Sequence, residues 1–467
     1  MNSEITYFDA TKLAGLIRKR ELSSTEVVKA HLERIDKVNP KINAIVTLNA
    51  QQALEAAAAA DKAVAQGAQV GPLHGVPFTV KDALDTAGIL TQRGSKLFVG
   101  NVPAKDATTV ARLKAAGGIV LAKTNVPEFS TWTETDNLVT GRTNNPWNLD
   151  RTPGGSSGGE SAAIAAGMSP LGIGSDVAIS VRGPAAFTGI AALKATHGRI
   201  PYTGHYPTVT SQWWHVGPMA RTVRDVALAY SLLKGADGAD GYAVHDRNAQ
   251  ADTDLVAGQT IRVGWVSETA FGPVDPEITA AVAAAAQQLA DLGCEVGEVE
   301  LPFLDDPLSP LMQMVYAEQG PVIRELAKGK VDQLHFIGKY IYDSPDPSFT
   351  DFNAALRKAE ALRSAFSAWF GKYDVLLCPV TPMTATPHGA QELMVNGKTV
   401  SWLHVMSATS AFNLTGLPAL SVPYALSSER LPIGIQLVSR WLNEDVLLRL
   451  GSVLERRGGL GSQWPAL

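Results

Sequence analysis

The stretch PGGSSGGESAAIAAGMSPLGIGSDVAISVRGPA (residues 153–185) decides how the whole chain is interpreted. It contains two glycine-rich turns that carry serines, and the small residues between them predict a buried helix. Glycine lets a backbone approach a ligand closely, and serine is a common nucleophile. The stretch is therefore compatible with phosphate binding, with a single serine nucleophile, or with two serines that share one reaction.

The composition indicates a globular protein with a large core. The chain has 467 residues, of which 45% are hydrophobic and 18% are charged, and this excludes a disordered or fibrous protein. The net charge is -5 without a basic run, so we expect no nucleic-acid partner. The two cysteines, Cys294 and Cys378, lack metal-ligand spacing, so we expect no metal site. Since no long uninterrupted apolar segment is present, we expect a cytoplasmic protein without a membrane partner.

Helical and strand patterns alternate along the chain. A capping box at Ser23 and Glu26 precedes a helical apolar stripe. Two short apolar strands, residues 76–80 and 119–122, are each followed by a lysine, and residues 235–254 are typical of a surface linker. The alternation favours an α/β fold with one large sheet that is covered on both faces.

Two interpretations of the glycine–serine stretch have unfavourable contexts. A phosphate-binding P-loop needs a lysine after the glycines, and Glu160 stands there instead. Residues 154–158 match the nucleophile elbow of α/β hydrolases with Ser156 as nucleophile, but the preceding residues 143–153 contain two prolines and make a poor strand. The elbow also needs a histidine base, and the sequence leaves five open: His197, His205, His215, His388 and His404.

A third interpretation combines Lys81, Ser156 and Ser180. A serine needs an adjacent base, and a lysine can be that base only if burial lowers its pKa towards neutrality. Lys81 directly follows an apolar strand, which suits such a site. An intermediate serine can relay the proton between the lysine and the attacking hydroxyl, so that the two serines have distinct roles.

Six segments of the chain support this third interpretation. They are HGVPFTVKD, GGIVLAKTNVPEF, NNPWNLDRTPGGSSGG, GSDVAISVRGPAAFTGIAALKATHGRIP, GPMARTVRDVALA and LPIGIQLVSRWLNEDVLLRL. In their amino-acid sequences and their order they resemble the amidase signature family of serine hydrolases. The spacing of Lys81, Ser156 and Ser180 agrees with that family as well. The resemblance implies an amidase-signature fold, in which one large mixed, twisted β-sheet is covered by α-helices on both faces.

The resemblance also implies a single domain over residues 1–467. We expect N-terminal helices in residues 1–68 and the signature core with the catalytic residues in residues 69–235. Residues 236–467 would complete the sheet and end in the C-terminal strand and helix. Within this last part, the helical segment of residues 302–372 is expected to shape the substrate pocket.

The resemblance assigns roles to particular side chains. It implies that Ser180 forms the acyl-enzyme, that Ser156 bridges, and that Lys81 is the general base and later the general acid. It further implies a cis peptide bond between Gly155 and Ser156. A further set of residues is expected to organise the nucleophile loop rather than to react: Gly155, Ser157, Asp176 and Arg182.

The loop before the nucleophile departs from the family pattern. Many members have two glycines there, whereas this chain has Ala178 and Ile179. Backbone N–H groups remain whatever the side chain, so we expect Val177, Ala178, Ile179 and Ser180 to form the oxyanion hole. Because a β-branched residue rarely adopts a positive φ, the loop must use ordinary dihedral angles or be rearranged. The Ile179 side chain is expected to shape the pocket.

The substrate is expected to bind against aromatic residues. The segment of residues 202–219 is aromatic-rich, and we expect Tyr206, Trp213 and Trp214 to form an apolar wall. Further lining is expected from residues 302–349 and 380–408.

The sequence therefore predicts an enzyme that cleaves C–N bonds of aryl or apolar amides, with anilides, carbamates and related esters included. The expected partner is a small-molecule substrate, without a cofactor, and the chain is expected to act as a monomer or homodimer. A second hypothesis is an amidotransferase A subunit that releases ammonia from glutamine for partner proteins acting on charged tRNA. No polar pattern suited to holding glutamine is apparent. A non-enzymatic scaffold is disfavoured because Lys81, Ser156 and Ser180 are all present.

Overall fold

The computed structural model describes residues 5–208, 213–245, 260–266, 270–458, 460 and 463–467. The linker expected over residues 235–254 falls partly outside this range, because its residues 246–254 are not described. None of the helices within the described ranges is long and apolar enough to cross a membrane.

Eleven strands of the described chain form one mixed sheet. Numbered in chain order and given in spatial order, they are β1 (Ile45–Leu48), β3 (Ile119–Thr124), β2 (Pro77–Lys81), β4 (Leu171–Asp176), β6 (His215–Ala220), β5 (Ala191–Lys194), β12 (Ala419–Leu426), β13 (Pro432–Ser439), β9 (Val375–Pro379), β7 (Arg262–Trp265) and β8 (Glu295–Glu298). Strand β2 is parallel to β3 and β4, and β7 is parallel to β8 and β9. The other neighbours are antiparallel. A separate hairpin pairs β10 (Glu392–Val395) with β11 (Lys398–Ser401).

Helices lie on both faces of this sheet. The α-helices of the described chain are α1 (Ala10–Arg18), α2 (Ser24–Ile42), α3 (Ala50–Ala65), α4 (Thr108–Ala115), α5 (Gly158–Ala165), α6 (Arg182–Thr188), α7 (Val223–Leu233), α8 (Pro276–Asp291), α9 (Leu308–Leu326), α10 (Phe336–Asp343), α11 (Phe349–Trp369), α12 (Ser410–Leu414) and α13 (Glu444–Arg457). Short 3-10 helices occur at Lys96–Phe98, Glu128–Ser130, Val331–Gln333 and Trp402–Met406. The α/β fold that the alternation predicted is confirmed.

Strand β9 shows how the two faces are filled. Successive side chains of a strand point to opposite faces. Val375 and Leu377 accordingly pack with helices α7, α8 and α13, whereas Leu376 and Cys378 pack with helices α9, α11 and α12. All four side chains are fully buried, so the sheet is the centre of two apolar layers.

Local sequence signals correctly predicted where two elements lie along the chain. Helix α2 begins at the predicted capping box, in which Ser23 and Glu26 hydrogen-bond to each other's backbone. The apolar strand before Lys81 forms β2, and Lys81 is its last residue. The second strand runs further than expected, because β3 continues to Thr124 and therefore contains Lys123 rather than ending before it. Both strands are completely buried, as is usual for strands with parallel neighbours.

Candidate active site

Lys81 lies at the end of β2, which is placed between β3 and β4, and is fully buried. Its Nζ atom is 2.7 Å from Ser156 Oγ, 2.9 Å from Ser175 Oγ and 3.3 Å from the Ser175 carbonyl oxygen. Burial lowers the pKa of Lys81 to about 7, although the negative charges of Asp176 and Glu160 act in the opposite direction. Near neutral pH a large fraction of this amine has a free lone pair.

The loops that carry the two predicted catalytic serines lie side by side. The Ser157 N–H donates a hydrogen bond to the carbonyl oxygen of Ser180, at 3.2 Å, and the Ser157 hydroxyl donates to the Ser175 carbonyl oxygen, at 3.2 Å. The peptide bond between Gly155 and Ser156 is cis, as the family resemblance predicted. The structure thus brings Lys81 and Ser156 into direct contact and places the Ser180 loop against them.

Glycine is required at two positions of the turn because neighbouring backbone comes very close. A Cβ atom on Gly155 would lie 2.6 Å from the carbonyl oxygens of Trp132 and Glu134. A Cβ atom on Gly159 would lie 2.4 Å from the backbone nitrogen and oxygen of Asn125. Backbone cannot move away as a flexible side chain can, so the glycine-rich sequence is a direct consequence of this packing.

A buried ion pair closes the nucleophile loop. The Arg182 guanidinium donates two hydrogen bonds of 3.0 Å to the Asp176 carboxylate, and both side chains have no exposed surface. Asp176 also accepts hydrogen bonds from the Val181 N–H at 3.0 Å and from the Asn413 amide at 2.9 Å. Burial tends to raise the pKa of Asp176, but the charge of Arg182 and these hydrogen bonds outweigh it and lower the pKa.

The loop before Ser180 uses ordinary backbone conformations despite its missing glycines. Ala178 and Ile179 are absent from the residues with positive φ, so the expectation of ordinary dihedral angles is confirmed. The Ile179 side chain packs on Gly183, where an added Cβ atom would lie 2.4 Å from Ile179 Cγ1. Within the described chain, the N–H groups of Ala178, Ile179 and Ser180 donate no hydrogen bond to another residue. These donors are free to bind an oxyanion.

An apolar cavity opens beside Ser180. Its described lining contains no charged side chain: it consists of Ser130, Thr131, Trp132, Thr133, Val177, Ala178, Ile179, Ser180, Met312, Val315, Tyr316, Ile337, Trp402 and Met406. The rings of Trp132 and Trp402 are in contact, with centroids 4.1 Å apart. The predicted nucleophile, Ser180, therefore lies at an uncharged, partly aromatic pocket.

The aromatic residues predicted to bind substrate do not line this cavity. Trp213 and Trp214 are buried in the core, and the Trp213 indole donates a hydrogen bond to Glu318, at 3.2 Å. Tyr206 packs against Phe98, and its ring faces a guanidinium group. These three residues are not part of the cavity lining, and their role in substrate binding remains a prediction.

The cavity wall comes from other parts of the chain. Tyr316 lies in residues 302–349 and Trp402 in residues 380–408, the two segments expected to contribute lining. Sequence reasoning did not single out residues 130–133, which follow β3 by a few positions. It also missed Ser175, although that residue immediately precedes Asp176 in the motif.

The two other interpretations of the glycine–serine stretch find no support in this geometry. Among the described residues, Lys81 is the side chain that hydrogen-bonds to the Ser156 hydroxyl, and no histidine does so. The residues directly before Ser156 are not a strand, so the context of a nucleophile elbow is missing. Glu160 is buried and accepts a hydrogen bond from Thr124, at 2.8 Å, which leaves no site for a phosphate. In the described ranges, no group of three His, Cys, Asp or Glu side chains is arranged to bind a metal ion.

Comparison with known proteins establishes the family. The family model named Amidase matches residues 26–448. The chain belongs to the amidase signature family. It is 35% identical over 490 residues to the A subunit of the glutamyl-tRNA(Gln) amidotransferase of Acidothermus cellulolyticus, an alignment that covers 97% of this chain and 95% of that protein. It is 33% identical over 469 residues to an acylamidase of Rhodococcus erythropolis, with 96% and 95% covered.

A solved structure agrees with the assignment. The chain superposes on 6-aminohexanoate cyclic dimer hydrolase in complex with its substrate with a TM-score of 0.88 and 29% identity, covering 98% of this chain and 99% of the other. This chain is therefore an amidase-signature hydrolase, and it is similar over nearly its whole length to enzymes with different names.

Removing one partner of the buried ion pair should destabilise this amidase strongly. We expect Asp176→Ala to lower the free energy of unfolding by about 3–5 kcal/mol, because the Arg182 charge would stay buried without its partner. The shift of the urea midpoint, followed by circular dichroism, measures the change. In the control, Glu429→Ala removes an exposed partner of Arg151 and should cost less than about 1 kcal/mol. Equal shifts for the two variants would contradict the role given to the buried pair.

Proposed function

We propose that this amidase hydrolyses the C–N bond of aryl or apolar amides, including anilides and carbamates, through an acyl-enzyme on Ser180. The observation that carries the proposal is the contact of 2.7 Å between the buried Lys81 amine and the Ser156 hydroxyl, next to a cavity with an uncharged lining. The substrate is a small molecule, and the chain acts as a cytoplasmic monomer or homodimer without a cofactor.

Acylation follows from the protonation state of Lys81. The neutral amine accepts the Ser156 proton while Ser156 takes the proton of Ser180, whose Oγ attacks the substrate carbonyl carbon. The N–H groups of residues 177–180 stabilise the negative oxygen of the tetrahedral intermediate. The Lys81 ammonium then returns its proton through Ser156 to the departing nitrogen, the C–N bond breaks, and the acyl group stays on Ser180.

Deacylation uses the same groups in a second cycle. A water molecule attacks the ester carbonyl carbon and loses its proton through Ser156 to the Lys81 amine. The proton then returns to Ser180 as the acyl–oxygen bond breaks and the acid is released. These two proton transfers, both through Ser156, regenerate the resting enzyme.

The lining of the cavity supports an apolar substrate. Glutamine carries an α-ammonium and an α-carboxylate group, and burying either without a charged partner is costly. The described lining offers hydroxyl groups, aromatic rings and aliphatic side chains, but no charged group. The name of one relative, an acylamidase, is consistent with an amide substrate.

A second candidate function is that of an amidotransferase A subunit. It is favoured by the relatives of that name, among them the protein of Acidothermus cellulolyticus at 35% identity. In this function the chain would release ammonia from glutamine and work with partner proteins on charged tRNA. The uncharged cavity makes it the weaker candidate.

The nucleophile can be identified by covalent labelling. Incubation with a fluorophosphonate should add one label at Ser180, because only an activated serine attacks the phosphorus atom. Mass spectrometry of the digested protein locates it. We expect Ser180→Ala to remove the label and to lower kcat for an anilide more than about 1,000-fold. His388→Ala and His404→Ala, which change histidines away from Lys81, should keep both label and activity. A label on Ser156 would overturn the assignment.

The pH dependence should follow the titration of Lys81. Its pKa is lowered to about 7, so the amine is charged and inactive below that pH and neutral above it. We expect kcat/KM to fall about tenfold per pH unit on the acid side and to level off above about pH 8. Initial rates in buffers of constant ionic strength measure the profile, and Lys81→Met serves as the inactive control. A flat profile between about pH 5 and about pH 9 would contradict the lysine base.

A substrate panel separates the two candidate functions. We expect kcat/KM for an anilide to exceed that for glutamine at least about 100-fold. The reason is that the cavity offers no charged side chain to pair with the α-ammonium or α-carboxylate group of glutamine. Ile179→Gly enlarges the cavity and should increase the activity on bulky acyl groups relative to an acetyl group. The panel contains anilides, carbamates, short aliphatic amides and glutamine. A preference for glutamine would favour the amidotransferase.

A further inference from the structure

Hydrogen bonds continue from Lys81 on the side away from Ser156. Lys81 Nζ donates to Ser175 Oγ at 2.9 Å, and His205 Nε2 lies 2.7 Å from the same oxygen. The Nδ1 atom of His205 hydrogen-bonds to the Tyr202 hydroxyl, and this hydroxyl donates to the Pro207 carbonyl oxygen at 2.8 Å. Lys81, Ser175, His205 and Tyr202 therefore form a hydrogen-bonded chain of four side chains, which ends at the Pro207 carbonyl oxygen.

The last acceptor determines the direction of this hydrogen-bonded chain. A carbonyl oxygen has no hydrogen, and the Pro207 oxygen lies 2.8 Å from the Tyr202 hydroxyl and 3.5 Å from His205 Nδ1. We assign the single proton of Tyr202 to the closer contact with Pro207, so that Tyr202 Oη accepts from His205 Nδ1–H. Nε2 of the neutral imidazole is then an acceptor and takes the Ser175 proton. Ser175 Oγ is left as an acceptor for a Lys81 N–H.

This direction leaves one place for the lone pair of Lys81. A neutral amine has two N–H groups and one lone pair. The two hydrogens are used by the hydroxyl and the carbonyl oxygen of Ser175. The lone pair is therefore left for the remaining neighbour, Ser156, at 2.7 Å. If the Ser175 proton were free to turn, it would compete with Ser156 for this lone pair.

Packing holds the histidine in this position and keeps it neutral. His205 is buried, it forms a β-bridge with Leu84, and the next residue, Tyr206, donates its N–H to the Ala83 oxygen at 2.8 Å. These contacts tie the segment to the residues that directly follow β2. Burial, together with the positive charges of Lys81 and Arg93, holds the pKa of His205 well below its usual value.

We propose that His205, oriented by Tyr202, is a positioning residue that keeps the Ser175 proton away from Lys81 and so directs the lysine lone pair to Ser156. The inference rests on the proposed function of Lys81 as the base. It gives a role to a side chain that contacts neither the cavity nor the two catalytic serines.

The rate of fluorophosphonate labelling at Ser180 tests the inference without knowledge of the natural substrate. It is measured at about pH 8.5, where wild-type Lys81 is neutral. We expect His205→Phe to lower the second-order rate constant about 10- to 100-fold, because Ser175 then loses its acceptor. His205→Gln retains an amide oxygen as acceptor and should stay within about threefold of wild type. Tyr202→Phe should also slow labelling, because His205 Nδ1 then keeps only its longer contact of 3.5 Å with the Pro207 oxygen.

A double variant distinguishes positioning from general damage. Removing the competing hydroxyl by Ser175→Ala in the His205→Phe background should recover at least about threefold of the lost rate. A merely structural role predicts a further loss instead, and thermal unfolding of every variant shows whether the fold is kept. Equal losses in His205→Phe and His205→Gln, or no recovery in the double variant, would overturn the inference. Wild-type protein that is not labelled at Ser180 would instead refute the proposed function.

Discussion

The structure depends on a lysine amine that is buried without a carboxylate in direct contact. Burial alone disfavours the charged form of Lys81, and a bound carboxylate would restore it. The two nearest carboxylates are engaged elsewhere: Asp176 binds Arg182, and Glu160 accepts a hydrogen bond from Thr124. Burial also raises the pKa of Glu160 to about 7, which weakens its charge. Serine oxygens are left as the direct partners of the amine.

The neighbouring Lys123 shows that burial is not sufficient for this role. It is also fully buried, and burial lowers its pKa as well. Its Nζ atom, however, donates to the Leu84 carbonyl oxygen and to the Thr86 hydroxyl, at 2.9 Å for the latter. Neither of these groups leads to an activated serine. Two lysines at the ends of similar sequence patterns thus differ by the partners that the fold supplies.

The predicted catalytic groups and a part of the cavity wall come from different layers of the molecule. The predicted catalytic side chains lie on β2 and on the loops around α5 and β4, and these two strands are third and fourth in the spatial order of the eleven-stranded sheet. Much of the wall comes from α9, α10 and the 3-10 helix Trp402–Met406, which pack beyond the sheet. One reaction centre can therefore be combined with different walls, and this agrees with the different names of relatives that share the fold.

The sequence by itself determined the α/β class and the capping box at Ser23, and it predicted Lys81, Ser156 and Ser180 as one set, because periodicity, caps and motifs are local properties of a chain. It did not determine that β3 runs through Lys123, that Trp213 is directed into the core, or that His205 reaches Ser175. Those outcomes depend on how segments far apart in sequence are aligned and packed. Only the tertiary structure decided which side chains face the cavity, because this depends on how several segments pack together and not on the sequence of any one segment.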